Sequence, residues 1–157
     1  MTKFALLALA IAQLSSGSAL AAMTAKQVVE KEVLMKDAKG VETLARQPAD
    51  KVTPGETVVY SIRYRNDSAT PASEIVLVMP VPKEVAYVEG SVSGDDTSVA
   101  FSADGGKTYV ARGRLTVVEE GEARPARGDE ITHIRWTLGA PVPPKGEGEV
   151  SYKGILK

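Results

Sequence analysis

The strict alternation of apolar and polar residues over positions 56–65 constrains the fold of this chain more than any other feature. In ETVVYSIRYR, Val58, Tyr60, Ile62 and Tyr64 fall on one side, with Ser61, Arg63 and Arg65 on the other. That is the period of two expected of a half-buried antiparallel strand. Residues 131–138 (ITHIRWTL) repeat it, with Ile134, Trp136 and Leu138 inward and His133, Arg135 and Thr137 outward. Val150, Tyr152 and Leu156 continue the pattern near the end of the chain. Residues 73–81 (SEIVLVMPV) are apolar on both faces, which predicts a strand central in its sheet or covered from outside.

Turn-forming residues separate these runs at short intervals. They include Thr53-Pro54-Gly55, Asn66-Asp67-Ser68, Gly94-Asp95-Asp96, Asp104-Gly105-Gly106, Gly121 and Pro143-Pro144. No stretch keeps a 3.6-residue period for more than a turn or two. The expectation is an all-β, Ig-like antiparallel sandwich of about eight strands. Its core should contain Val58, Tyr60, Ile62, Ile75, Leu77, Ile134, Trp136, Leu138, Val150 and Tyr152. The segment before it, around residues 26–46, mixes Val28, Val29, Val33, Leu34 and Met35 with charges and turns at residues 37–40. Its alternation is imperfect, so it reads as an N-terminal edge strand or arm.

Three segments follow: 1–21, 22–50 and 51–157. The first begins with Lys3, continues through an apolar run from Phe4 to Ala12, and ends in Ala19-Leu20-Ala21. This is the pattern of a secretory signal peptide, too short to span a bilayer. The expected location is therefore outside the cytoplasm: secreted, at the cell surface or in the periplasm. There is no cysteine, so the domain must hold by packing alone, without disulfides, thiolate metal sites or a lipid anchor at the cleavage point. The formal net charge is −1 with both signs interspersed, which predicts neither nucleic-acid binding nor membrane insertion.

Catalytic chemistry is hard to assemble from these residues. His133 is the only histidine, placed by its phase on the outward face of a strand, and no serine stands in a G-x-S-x-G elbow. The carboxylate pairs Asp95-Asp96 and Glu119-Glu120 sit in turn-like contexts rather than flanking a cleft. Residues 102–109 (SADGGKTY) have the form of an Asp-box, a hairpin device in which the Asp accepts backbone N–H groups and glycines supply positive φ. No D-x-D-x-D run provides a calcium loop. Asn66-Asp67-Ser68 fits the N-x-S glycosylation pattern, but reads as a hairpin turn. The expectation is no enzyme activity, no catalytic residue, no metal and no cofactor.

The run Val52-Thr53-Pro54-Gly55-Glu56-Thr57-Val58-Val59-Tyr60-Ser61-Ile62 resembles the opening of a bacterial and archaeal surface module. That module is the domain of unknown function numbered eleven, often called the conserved repeat domain. Tyr64-Arg65-Asn66-Asp67, Ile75-Val76-Leu77-Val78, Pro80-Val81-Pro82 and Val85 to Ser91 follow in the family's order. Residues 134–139 and Val150-Ser151-Tyr152 are similar to its closing strands. The resemblance implies an Ig-like sandwich of an adhesive, scaffolding or filament-forming surface protein, with no catalytic residues.

Segment 22–50 precedes the part that carries this resemblance. The expected role of its residues 25–36 is self-assembly, with that stretch added as a strand to the sheet edge of a neighbouring copy and Val29, Val33 and Met35 filling the groove. The expected partner is the protein itself, in a head-to-tail homopolymer. Two alternatives stand beside that. The segment is the first strand of its own domain, or the protein is a monomeric envelope module that binds a protein or glycan.

Overall fold

A computed structural model describes residues 23–157. The expected export signal over 1–21 lies outside the described residues. The described chain is an all-β sandwich of ten strands, with only two short 3-10 turns, Arg112–Arg114 and Gly128–Glu130. The strands are β1 (Met23–Lys36), β2 (Glu42–Pro48), β3 (Thr57–Asn66), β4 (Val76–Pro80), β5 (Val85–Tyr87), β6 (Thr97–Ser102), β7 (Thr116–Glu119), β8 (Glu122–Pro125), β9 (His133–Leu138) and β10 (Glu147–Leu156). One sheet runs β2-β1-β3-β10-β5, the facing sheet β4-β9-β6, and β7-β8 form a separate ribbon. Apart from β1 and β2, six strands make up the two facing sheets and β7-β8 stand apart, against the eight expected; β1 and β2 form an N-terminal ribbon that extends the first sheet beyond β3.

The alternation seen in the sequence becomes register. Tyr60 and Ile62 of β3 stand opposite Tyr152 and Val150 of β10. Leu77 and Val99 flank Trp136 from the two strands on either side of β9. Tyr60, Ile62, Leu77, Ile134, Trp136, Val150 and Tyr152 are all buried, while Ile75 and Leu138 pack against the cluster half-buried. The rings of Tyr60 and Tyr152 stack with centroids 5.1 Å apart. The Tyr152 hydroxyl donates to Pro80 O at 3.0 Å, tying the two sheets together through the core. Met79, Val81, Val85, Tyr87, Phe101, Leu115, Ala126 and Ile131 complete the core.

Asn66 is a structural bracket. Its side chain is fully buried, and its amide donates to Thr70 O (2.7 Å) and Val142 O (2.9 Å). Its carbonyl oxygen accepts from the Ser68 backbone N–H and hydroxyl. With both amide hydrogens engaged, the N-x-S pattern is a fold device. Asn66→Ala removes both of these bonds from a buried side chain, leaving Val142 O with only the Ala72 N–H and Thr70 O with only the Ser68 hydroxyl, and is expected to cost about 1–3 kcal/mol in urea titration. Ser68→Ala, at a half-buried turn position, should cost well under that.

Two expectations need correction. β4 is an edge strand rather than a central one, and its outward residues Val76 and Val78 are 52% and 44% exposed. The apolar run covers the core with Leu77 and Met79 and leaves the alternate side chains in solvent. His133 is not solvent-facing. It lies under the 104–108 loop, half-buried, with Nδ1 enclosed and unpartnered.

Candidate assembly surface

β1 is longer than the strand it joins, and its two halves have different partners. Residues Met23 to Lys31 pair antiparallel with Asn66 to Val58 of β3. From Glu30 onward it pairs with β2, Glu30 and Lys31 being laddered to both strands, across a turn in which Asp37 accepts the Lys39 and Val41 N–H groups and Gly40 takes φ +80°. A glycine suits that position because an L side chain there is strained.

The register fixes which face each residue takes. Ala25, Gln27, Val29 and Lys31 lie on the side of Tyr64, Ile62, Tyr60 and Val58, the core side of β3. Two of those four are polar, and Val29 is exposed. β1 therefore overhangs the rim of the sandwich instead of closing it. No residue of β1 or β2 belongs to the hydrophobic core or to the side chains packed against it; the first that does is Ala49. Val29, Val33 and Met35 share one face, opposite Tyr60, Ala45 and Thr43. Val33 is half-buried, and Met35 is exposed beside Gln47. The other face of the ribbon carries the cross-strand pair Leu34 and Leu44, both exposed.

What attaches the ribbon, besides the β1–β3 ladder, is a set of charges that sequence reasoning missed. Arg46 Nη1 reaches Glu149 Oε1 at 2.8 Å, although β2 and β10 are three strands apart in sheet order. β2 must therefore curl back across the outer face of the sheet. Glu149 also takes Arg63 Nε at 2.7 Å, and Arg63 Nη2 meets Glu30 at 3.2 Å. Beside them Lys153 Nζ stands 2.7 Å from Glu32. Beneath this layer Val59 and Ser61 of β3 are 0% exposed, though both point away from the core. Burial pulls the Glu149 carboxyl up, but the hydrogen bonds from Arg63 and Arg46 outweigh it and hold it below its ordinary value. The alternation EKE at residues 30–32 and the outward phase of Arg63, Glu149 and Lys153 are the sequence signal for the layer, readable only once the register is known.

Next to the attachment is a groove of about 480 Å³ walled by Thr24, Lys26, Arg63, Arg65, Glu147 and Glu149. It has both signs of charge and exists only because β1 lies against β3. A second groove, about 440 Å³, runs past Val76 and Glu74 to Pro141 at the end of β4.

The remaining sequence candidates resolve into structure. Asp104 accepts from Ser102 Oγ (2.7 Å), from the backbone N–H groups of Lys107 and Thr108 and from Thr108 Oγ1, with Gly105 and Gly106 at φ +77° and +83°. The hydrogen bonds from Thr108 and Ser102 hold its carboxyl far below the usual range. Ser102 and His133 are cross-strand partners. The serine hydroxyl is buried and donated to Asp104, and His133 Nδ1 receives no proton donor, so the three do not form a nucleophile–base pair. Tyr109 lies against the Arg135 guanidinium, 4.4 Å from its ring centroid. Glu119 is held by Arg124 beside the Glu120-Gly121 turn, whose two residues have the positive φ of a type I′ hairpin. Among the described residues, no group of three or more His, Asp or Glu side chains is gathered as for a metal, and no helix is long and apolar enough to cross a membrane.

No family model, curated protein or solved structure matches this chain. Its resemblance to the surface repeat module therefore rests on the motifs of residues 52–157 alone.

Proposed function

We propose that this chain is an exported, non-enzymatic structural protein of the cell surface that assembles into extracellular filaments. In this reading the β1–β2 ribbon leaves its own sheet and completes that of the next copy. The observation that carries it is the exclusion of all 26 residues from Met23 to Pro48 from the core. A segment that contributes main-chain hydrogen bonds and ion pairs, but no core side chain, can leave the sandwich intact behind it. The edge it vacates on β3 accepts the same segment from another copy, with main-chain bonds supplying strength and register supplying specificity. Donor ribbon and acceptor edge are different surfaces, so the contact is head-to-tail and propagates.

A second reading, a monomeric module that binds an envelope protein or glycan, draws support from the β4 edge. Val76 and Val78 are exposed there beside a groove, and apolar edge strands in solvent are ordinarily covered or charged. The two readings differ in concentration dependence. Light scattering and negative-stain electron microscopy of the secreted protein should show filaments above a critical concentration. A monodisperse monomer at millimolar concentration would reject assembly and favour the binding module.

A further inference from the structure

We infer that the charged layer on the outer face of β3 and β10 is the docking surface for the ribbon of a second copy. Arg63, Glu149 and Lys153 would take Glu30, Arg46 and Glu32 of the neighbour as they take their own. The inference rests on the strand-exchange reading above and names the surface that selects the partner.

The charges fall on opposite sides of one boundary. Glu30, Glu32 and Arg46 belong to the ribbon, and Arg63, Glu149 and Lys153 belong to the sandwich, with every pair joining one to the other or completing the sandwich side. Arg63 and Glu149 are already bonded to each other, so the sandwich presents them as a preset pair. The ribbon's own face has the complementary order, with Glu30 near Arg63 and Arg46 near Glu149. Such matching does little for the core, which lies on the opposite face of the sheet. It does specify where a ribbon lands and in which register, which is what charge complementarity supplies at an interface. A one-residue slip of β1 along β3 would turn Glu30 and Glu32 to the wrong face and break the set. The layer also keeps Val59 and Ser61 from water, so a sandwich whose ribbon has left exposes a β3 surface that the next ribbon covers.

The pair Glu32 and Lys153 tests this most cleanly, because among the described residues neither takes part in another ion pair. E32K places two lysines at the contact and K153E two glutamates, so in either variant alone the ribbon meets a like charge in every copy. Mixed in equal amounts, the two variants re-form an opposite pair only between different chains. Each variant alone carries the repulsion in its closed monomer as well as between copies, so its threshold for assembly should stay near that of the wild type. In the mixture only the contact between different chains regains an opposite pair, so it should assemble at a concentration roughly fivefold or more below that of either variant alone, the scale of an exposed ion pair replacing a repulsion. The double variant E32K/K153E, which restores the pair in every contact, should match the wild type and controls for folding. If the mixture assembles no more readily than either variant alone, the docking surface is wrong while filament formation stands. If the wild type itself never assembles, the strand-exchange reading fails and this inference with it.

Discussion

Removing residues 23–48 leaves a protein that still folds cooperatively but no longer assembles. The sandwich keeps every member of its core, since the ribbon supplies none of them. The expected loss is the exposure of Val59 and the outer face of β3, on the order of 1.5–3 kcal/mol for one fully buried valine. The near-ultraviolet circular dichroism of Trp136 should therefore persist, while scattering from filaments disappears at all concentrations. A synthetic peptide of residues 23–48, added to the shortened protein, should bind the bared β3 edge and raise its melting temperature. Loss of the tryptophan signal on deletion would mean that the ribbon is an integral first strand, and strand exchange would lose its basis.

Trp136→Ala is expected to be the most damaging single substitution in the sandwich, at about 3–5 kcal/mol. The indole is fully buried at the centre of β9, with Leu77 on one neighbouring strand and Val99 on the other. Against a total stability of about 5–15 kcal/mol that loss leaves a marginal domain. Trp136→Phe should be much milder. The indole Nε1–H is buried with no acceptor, so phenylalanine removes an unsatisfied donor worth about 1–3 kcal/mol while giving up part of the ring volume. Urea denaturation of both variants decides this; a Trp136→Ala cost below about 1 kcal/mol would contradict the core described above.

Tyr60, Ile62, Trp136 and Tyr152 were legible as core because alternation alone sets the face of a strand residue. The turns at 37–40 and 102–108 were legible because Asp and Gly act through their own backbone. Val59 and Ser61 were not. Their burial depends on β2 curling over the outer face, a contact between residues far apart in the chain. The same is true of Arg46 and Glu149, which are 103 positions apart. Asn66 read as a turn residue because nothing local reveals that Val142 would come within reach of its amide. For β4, apolar residues on both faces suggested a covered strand, but sheet order is a tertiary outcome, and that strand lies at an edge with Val76 and Val78 outward. The candidate surface was half legible. Val29, Val33 and Met35 do share a face, while the charges that hold the ribbon became visible only with the β1–β3 register.

The central claim, that β1 pairs with β3 of another copy, is tested most directly by a cysteine pair in this cysteine-free chain. Thr24 and Arg65 are exposed cross-strand partners, and neither belongs to the docking charges on Glu30, Glu32 and Arg46. In the variant T24C/R65C, a disulfide formed within one chain leaves a monomer on a non-reducing gel, whereas one formed between copies leaves a covalent ladder. Oxidation after assembly at high concentration is predicted to give the ladder, and oxidation in dilute solution the cross-linked monomer. Monomers alone under both conditions, with the disulfide fully formed, would contradict strand exchange between copies.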